Sequence, residues 1–579
     1  MKSNESNFRF IEQEGFIEIP FFQRAYVWKK EQWEQLFDDL LESFNNQKTH
    51  FLGSIILKQV STDAGRGSVR SLIDGQQRLT TFSILVKSLF DKLDSDDRSD
   101  NAKTIYQTPT KEKNPKIKHS RLDRDDFSKI LRAENCKTFL DRDEKLKKEL
   151  KNKKLIQCYC YFSERINEVA NFKEFFSYIL DSKLWVLINL ENNEDEQKIF
   201  DSINTSGLKL TATDIIKNAI FDKAIKLDSK WGEWLYEKYW EEIFEIDNQK
   251  RDFWDEELAT GRLKRTRSEI FLHAFAIIYK FFDSEVSLEH LSSRYKEKIK
   301  DFNKDALESF LGDIKKYAIV YFNFPKIDQS TPLNFENFET RLFHILKITD
   351  TNTIIPLILK LKTDLLDNKE ELEKCFYILE VFIIHRWISN KPTKPYNKIF
   401  GALTQNDLGG NYYASLKDAL KEELPKVNEI KDCLISKYSY LSNKQASLIL
   451  FWIELYRRFK NKSKQDTIEL SYIYSLEHLM PQNWKKHWVE VGVNDELAES
   501  LIYQIGNMTL LKGALNSTIK DVAWEVKLHG DKSAKNNIEK CADLLITREL
   551  LNKEKWDKYT IEERSENLIN EFFEIWDID

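Results

Sequence analysis

The chain has 579 residues, with 89 Lys plus Arg against 95 Asp plus Glu, a formal net charge of −6 at pH 7. At roughly 100 to 200 residues per domain this length implies about three to five domains, and 41% hydrophobic with 13% aromatic residues excludes global disorder. The mild acidity lacks the strongly basic balance that marks a nucleic-acid binder as a whole, so only local patches bear on such a partner. Glycine (16) and proline (10) are scarce while charged residues reach 32%, which predicts a mostly α, multidomain α+β protein. The richest apolar stretch, Leu379 to Ile388, is interrupted by Glu380, His385 and Arg386. No run therefore approaches the ~18 to 20 residues of a spanning helix, and no membrane partner is expected. The first 15 residues carry Glu5, Glu12 and Glu14 and no apolar signal-peptide core. Six scattered cysteines suit a reducing cytoplasm, and Cys158 with Cys160, lacking a second pair at zinc-ligand spacing, read as helix residues.

The first ninety residues are the clearest β-containing part. Phe51–Val60 and Ser68–Ile73 flank a turn-forming cluster and predict a hairpin. Asp74-Gly75 ends the second strand, and Leu79, Phe82, Leu85, Val86 and Leu89 then recur at helical spacing. Between Asn101 and Arg124 seven Lys or Arg face two acidic residues, a pattern open to two readings, a solvated loop or a phosphate-contacting arm. A strand at Leu184–Leu190 follows, then a helix through Glu196–Ile203, a turn at Asn204–Gly207, and a helix capped by Thr211 with Asp214. Residues 226–444 read as amphipathic helices whose Trp and Phe stripes are core. From about residue 445 a helix at Ala446–Phe459 leads to short β-like segments, and the acidic final helix presents a solvated face over a core edge.

Two groups of residues carry chemistry. Asp74-Gly75-Gln76-Gln77-Arg78 sits where a strand turns into a helix. Helix N-termini attract anions, so a phosphate could rest there, with Gly75 permitting close approach, Arg78 as a charged fork, and Asp74 holding a metal or aiming water. The second group is Glu477-His478-Leu479-Met480-Pro481, then Asn507 29 residues beyond His478 and Asn516 nine further, with Ile519–Leu528 read as a helix: a β-β-α order. Phosphodiester hydrolysis needs a base, which His478 supplies, and a cation, for which Glu477 and Asn516 offer hard oxygen ligands of the kind Mg²⁺ takes. Asn507 is placed to bond the loop that carries His478.

The segments Ile19–Trp28, His50–Ile55 and Leu72–Thr81, with Ile199–Gly207 and Leu210–Asn218 later, resemble the N-terminal domain of GmrSD-type, modification-dependent (type IV) restriction proteins, a domain similar to the ParB/sulfiredoxin-like α+β fold. The second group resembles the C-terminal HNH (ββα-metal, His-Me finger) nuclease domain of the same family. The resemblance implies domains at 1–225 (nucleotide-binding sensor), 226–444 (helical middle) and 445–579 (nuclease). It implies binding and hydrolysis of a nucleoside triphosphate (GTP, UTP, CTP or ATP) by Gln23, Arg24, Asp74, Gly75, Gln76, Gln77 and Arg78, with Asn204 and Lys217 completing the site. It further implies His478 as general base, Asn507 as the residue orienting it, Glu477 and Asn516 as ligands of Mg²⁺ or another divalent cation, and cytoplasmic cleavage of modified phage DNA, with a homo-oligomer open. Two departures stand out: Glu477 replaces the more usual Asp, and Lys527 is followed by Leu528-His529 rather than a second basic residue. The alternatives are a non-nucleolytic DNA- or partner-binding NTPase and a nuclease acting on DNA that lacks a host modification.

Overall fold

The computed structural model describes residues 2–48, 50–59, 69–107, 114–140, 148, 153–190, 211–260, 263–437, 439–531 and 536–577. The chain forms two compact units, Met1–Lys238 with Ile299–Leu307, and Tyr239–Lys298 with Glu308–Asp579. Helices dominate the described residues and the sheets are small, so the mostly helical expectation holds. Among the described residues no helix is long and apolar enough to cross a membrane.

The first unit is built on one mixed sheet. Its strands are β1 (Lys2–Ser6), β2 (Phe16–Glu18), β3 (Gly53–Gln59), β4 (Val69–Asp74), β5 (Ile117–Lys118) and β6 (Trp185–Leu190), in the order β1-β6-β3-β4-β2-β5. The expected hairpin appears as the antiparallel β3–β4 pair, and the expected strand near 184–190 is β6, parallel to β3. Pairing runs Ile56 to Asp74 and Leu57 to Leu72, so the register shifts beside Asp74 and bends the strand end from which the helix starts. The Gln76–Phe90 helix is buried on nearly every side, its expected apolar set included, and Arg78 is the residue of its first turn that reaches outward. Such a helix is held by packing from all directions rather than by an amphipathic face.

The basic segment is neither a solvated loop nor a free arm where it is described. Ile117 is buried in the edge strand β5, the Lys116 ammonium donates to the carbonyls of Glu12 (3.2 Å) and Glu14, Lys118 pairs with Glu18 (2.6 Å), and Arg121 pairs with Glu237. Lys116 and Arg121 are engaged within the fold, Lys103 and Lys118 stay exposed, and Lys111 and Lys113 lie outside the described residues. So do the helix and turn expected at 196–207, Asn204 included. The Thr211 cap is present: Thr211 Oγ1 accepts from Asp214 N (3.1 Å) while the Asp214 carboxylate accepts from Thr211 N (3.3 Å). Cys158 and Cys160 lie on the Lys154–Arg165 helix as expected, and Cys160 Sγ stands 3.2 Å from Cys136 Sγ.

In the second unit one core runs from Leu333 through the Lys369–Ile388 and Asn443–Lys460 helices to Trp576 on the C-terminal side. A hairpin of β7 (Glu257–Thr260) and β8 (Leu263–Thr266) precedes it, and β9 (Ser475–His478) pairs with β10 (Met508–Leu511). The final helix, Lys558–Ile575, buries Ile561, Leu568, Phe572 and Ile575. Its acidic residues are more than a solvated face, because Glu571 pairs with Arg457 (2.9 Å) and Glu574 with Lys460 (2.5 Å). The single helix expected over Ile519–Leu528 is two short ones, Gly513–Ile519 and Trp524–His529, separated by Lys520 at φ 20°. No Pro or Gly marks that break. Its effect is to bring Lys527 back under β9.

Candidate active sites

At the end of β4, Gly75 holds φ +97° as the N-cap of the Gln76–Phe90 helix. A Cβ there would lie 3.2 Å from Ser54 O in a left-handed conformation that L side chains resist. No side chain caps this helix start, so its first-turn N–H groups have no intrahelical partner and point outward. Arg78 Nη2 donates to Asp74 Oδ2 at 2.9 Å, both side chains being about one-fifth exposed.

The glutamines of the motif do structural work. Gln76 Nε2 donates to Arg24 O (2.8 Å), and Gln77 accepts from Val27 N (2.8 Å) and donates to Ala25 O (3.4 Å). Gln23 Nε2 donates to Leu72 O (2.8 Å). Three amides thus stitch the 23–27 segment to β4 and the helix start. Tyr26, with Trp33 Nε1 donating to its hydroxyl (2.8 Å) and its backbone N–H donating to Asp123 (2.7 Å), extends the same seam. Lys217 is buried on the Ala212–Leu227 helix. Phe221, one turn further, packs on Phe21 and Phe22, so this face of the helix lies against the chain just before Gln23. The structure therefore gathers Gln23, Arg24, Asp74, Gly75, Gln76, Gln77 and Arg78 and brings the Lys217 helix alongside.

The second site is the β9–β10 pair. Met508 stands opposite His478 and Thr509 opposite Glu477. Asn507, fully buried, locks the loop beyond His478: its Oδ1 accepts from Met480 N (2.8 Å) and Trp556 Nε1 (3.0 Å), and its Nδ2 donates to Met480 O (2.9 Å) and Ile502 O (3.0 Å). Gly506 lies so close to the final helix that a Cβ would meet Ile561 O at 2.2 Å. Arg564 from that helix donates to Gly506 O (2.6 Å) and Met508 O (2.7 Å). From the Gly513–Ile519 helix, Asn516 Nδ2 donates to Leu476 O (2.9 Å).

Glu477 and His478, being consecutive in a strand, project to opposite faces. Glu477 is ion-paired with the fully buried Lys527, whose ammonium also donates to His478 O (3.2 Å). Burial pushes the Glu477 carboxyl above its usual range, against the pull of Lys527, and pushes the Lys527 ammonium below its own. His478 is lowered to about 4, by burial first and by Lys527 second, so its ring is neutral at pH 7. Its Nε2 is buried without a hydrogen-bond partner, and its ring meets Tyr503 edge-on at 5.8 Å. Among the described residues no three His, Cys, Asp or Glu side chains group as a metal cage. His529, exposed by half, pairs with Glu539 (3.1 Å).

Sequence reasoning did not find Lys527 as the partner of Glu477, nor Arg564 as the brace of β10. A lysine followed by Leu-His carries no signal of where its chain turns, and only the break at Lys520 returns it to the strand.

A glycine turn feeding a buried helix marks the mixed-sheet unit, and a Glu-His strand braced by two asparagines marks the helical one. Residues 5–221 match the family model for the GmrSD restriction endonuclease N-terminal domain and residues 424–571 that for the C-terminal domain. Together the matches span more than half of the chain, and it belongs to the GmrSD restriction endonuclease family. It is also 28% identical over 260 residues to an uncharacterized protein, MJ0686, of Methanocaldococcus jannaschii, a match covering 38% of this chain. The chain spans 41% of that relative's length.

Proposed function

We propose that this protein is an antiphage endonuclease that hydrolyses a nucleoside triphosphate at the Asp74–Arg78 turn and cuts or nicks modified phage DNA at the β9–β10 site, acting in the cytoplasm where such DNA enters. The observation that carries it is the Glu477-His478 strand end whose following loop is held by Asn507 through Met480 N (2.8 Å) and Met480 O (2.9 Å), in a chain that matches both domains of a restriction endonuclease family. The His478 imidazole acts as general base once bound DNA and its water reach the Nε2 that is buried in the free protein.

A hard cation such as Mg²⁺ that keeps most of its waters would be held by Asn516 Oδ1, whose Nδ2 is turned to Leu476 O, and by the Glu477 carboxylate once it exchanges its Lys527 partner for the cation. Such a cation would neutralise charge on the phosphate and leaving oxygen. Asn507 positions His478, and Lys527 holds Glu477 and the His478 carbonyl in one arrangement. At the N-terminal site the helix start and Arg78 receive phosphates, and Asp74 orients Arg78 and the attacking water. Gln23, Gln76 and Gln77 act by fixing the backbone around Arg24, which borders the nucleotide. Lys217 stands on the helix packed beside this segment and adds a positive charge to the site. The proposed domains remain 1–225, 226–444 and 445–579.

A gel assay with Mg²⁺ and each triphosphate, on unmodified plasmid and on several modified phage DNAs, tests this reading. Cleavage confined to a modified substrate and absent in His478→Ala supports it. Equal cutting by His478→Ala, or cutting confined to unmodified DNA, sinks it. Asp74→Ala is expected to lose triphosphate turnover while the second unit keeps its fold.

A further inference from the structure

Beside Arg78 the first unit holds a cleft of about 190 Å³ that no part of the reading above uses. Its wall on one side is the Lys30–Asn45 helix, whose Gln32, Gln35 and Asp39 line it. Spaced three and four residues apart, these three share one helix face. Trp28, Phe51 and Trp185 also line it, as does His50, whose ring stands 3.9 Å from the Asp39 carboxylate. Phe51 is 62% exposed, a large ring left in solvent, whereas Trp185 is 1% exposed and its indole Nε1 is buried without a hydrogen-bond partner.

We propose that this cleft is a nucleobase pocket, taking the base of the nucleoside triphosphate whose phosphates rest on the Gly75 turn. The proposal rests on the nucleotide-binding reading above and deepens it. Four features of the cleft select this ligand. Aromatic faces stack on any base, whereas two amides and a carboxylate on one helix face offer donors and acceptors to a base edge, the groups by which bases are told apart. The volume is below the roughly 300 Å³ at which pockets enclose whole drug-sized ligands, so it holds a ring and leaves the sugar and phosphates outside. Arg78 belongs to both the cleft and the phosphate turn, so the ligand spanning them is a flat ring joined to an anion. A base extruded from DNA has the same ring chemistry. The shared Arg78 favours the free nucleotide.

The experiment uses the full chain and calorimetric binding of GTP, UTP, CTP, ATP and inorganic triphosphate, with Phe51→Ala and Asp39→Asn variants. Phe51 is exposed, so its truncation leaves the core intact. Phe51→Ala is expected to weaken all four nucleotides roughly tenfold and to leave inorganic triphosphate binding as in the wild type. Asp39→Asn is expected to change the order of preference among the four. Nucleotide affinities of Phe51→Ala within about twofold of wild type, while Asp74→Ala still abolishes hydrolysis, would overturn the pocket and spare the nucleotide reading. Equal weakening of inorganic triphosphate would overturn it as well, by placing Phe51 at the phosphates. So would loss of binding confined to a DNA probe carrying 2-aminopurine opposite an abasic site, which would give the cleft to an extruded base. If the wild type binds no nucleotide, both readings fall.

Discussion

The Asp74–Arg78 turn and the β9–β10 strand pair use one device, a side-chain amide bonded to backbone, in two settings. At the turn, Gln76 and Gln77 fasten a neighbouring segment to the start of a helix, and the groups left facing outward are Arg78 with its partner Asp74. At the strand pair, Asn507 is wholly enclosed, and the charged groups beside it, Glu477 and Lys527, are buried with it. The difference is one of solvent. The Asp74–Arg78 pair stays partly in solvent, while at the strand pair burial shifts Glu477 up and His478 and Lys527 down. In both, part of the motif does structural work by holding the backbone around it.

Substitutions at the enclosed site should therefore be the more damaging. Asn507→Ala strands two carbonyls, an amide and an indole N–H, and is expected to destabilise the second unit by about 4 kcal/mol. Chemical denaturation followed by Trp fluorescence measures it, and a loss below about 1 kcal/mol would show that water replaces the amide. Lys527→Met leaves Glu477 buried without its cation and is expected to lose about 3 kcal/mol; an unchanged midpoint would mean that Glu477 has turned to solvent. At the open site, Gly75→Ala forces a methyl group into the left-handed region against Ser54 O and should lose about 2 kcal/mol. Hydrogen exchange of the Gln76–Phe90 amides reads that loss locally, and protection equal to wild type would contradict it.

The last effect concerns pH. His119, entirely buried with Thr80 Oγ1 2.9 Å from its Nε2, is lowered to about 3, by burial first and by the Arg124 charge second. The unfolded imidazole titrates near 6.5, so between about pH 6.5 and 3 the unfolded chain binds the extra proton. Stability from this group is complete above pH 6.5 and falls as the pH drops through that window, by about 2 kcal/mol at pH 5. In the second unit, His385 at about 4 behaves alike. A His119→Asn variant should show a shallower fall of melting temperature from pH 7 to 5, and an equal slope would remove His119 as a source of acid sensitivity.

Local patterns carried much of this protein. The β3–β4 hairpin, the apolar period of the Gln76–Phe90 helix, the Thr211–Asp214 cap and the role of Asn507 in holding the loop after His478 were all legible, because each depends on residues close in sequence or on a side chain with few other uses. The basic segment was not, since whether Lys116 and Lys118 face water or β2 depends on which strand lies at the sheet edge. Nor was the break at Lys520, which no turn residue announces. By itself the sequence determined the helical class, through composition, and marked both motifs, through spacing and family resemblance. Tertiary structure decided which motif residues point to solvent, that Lys527 meets Glu477, and that Gln32, Asp39, Phe51 and Arg78 line one cleft. Those pairings join residues tens of positions apart, and their energies exist only once the chain has brought them together.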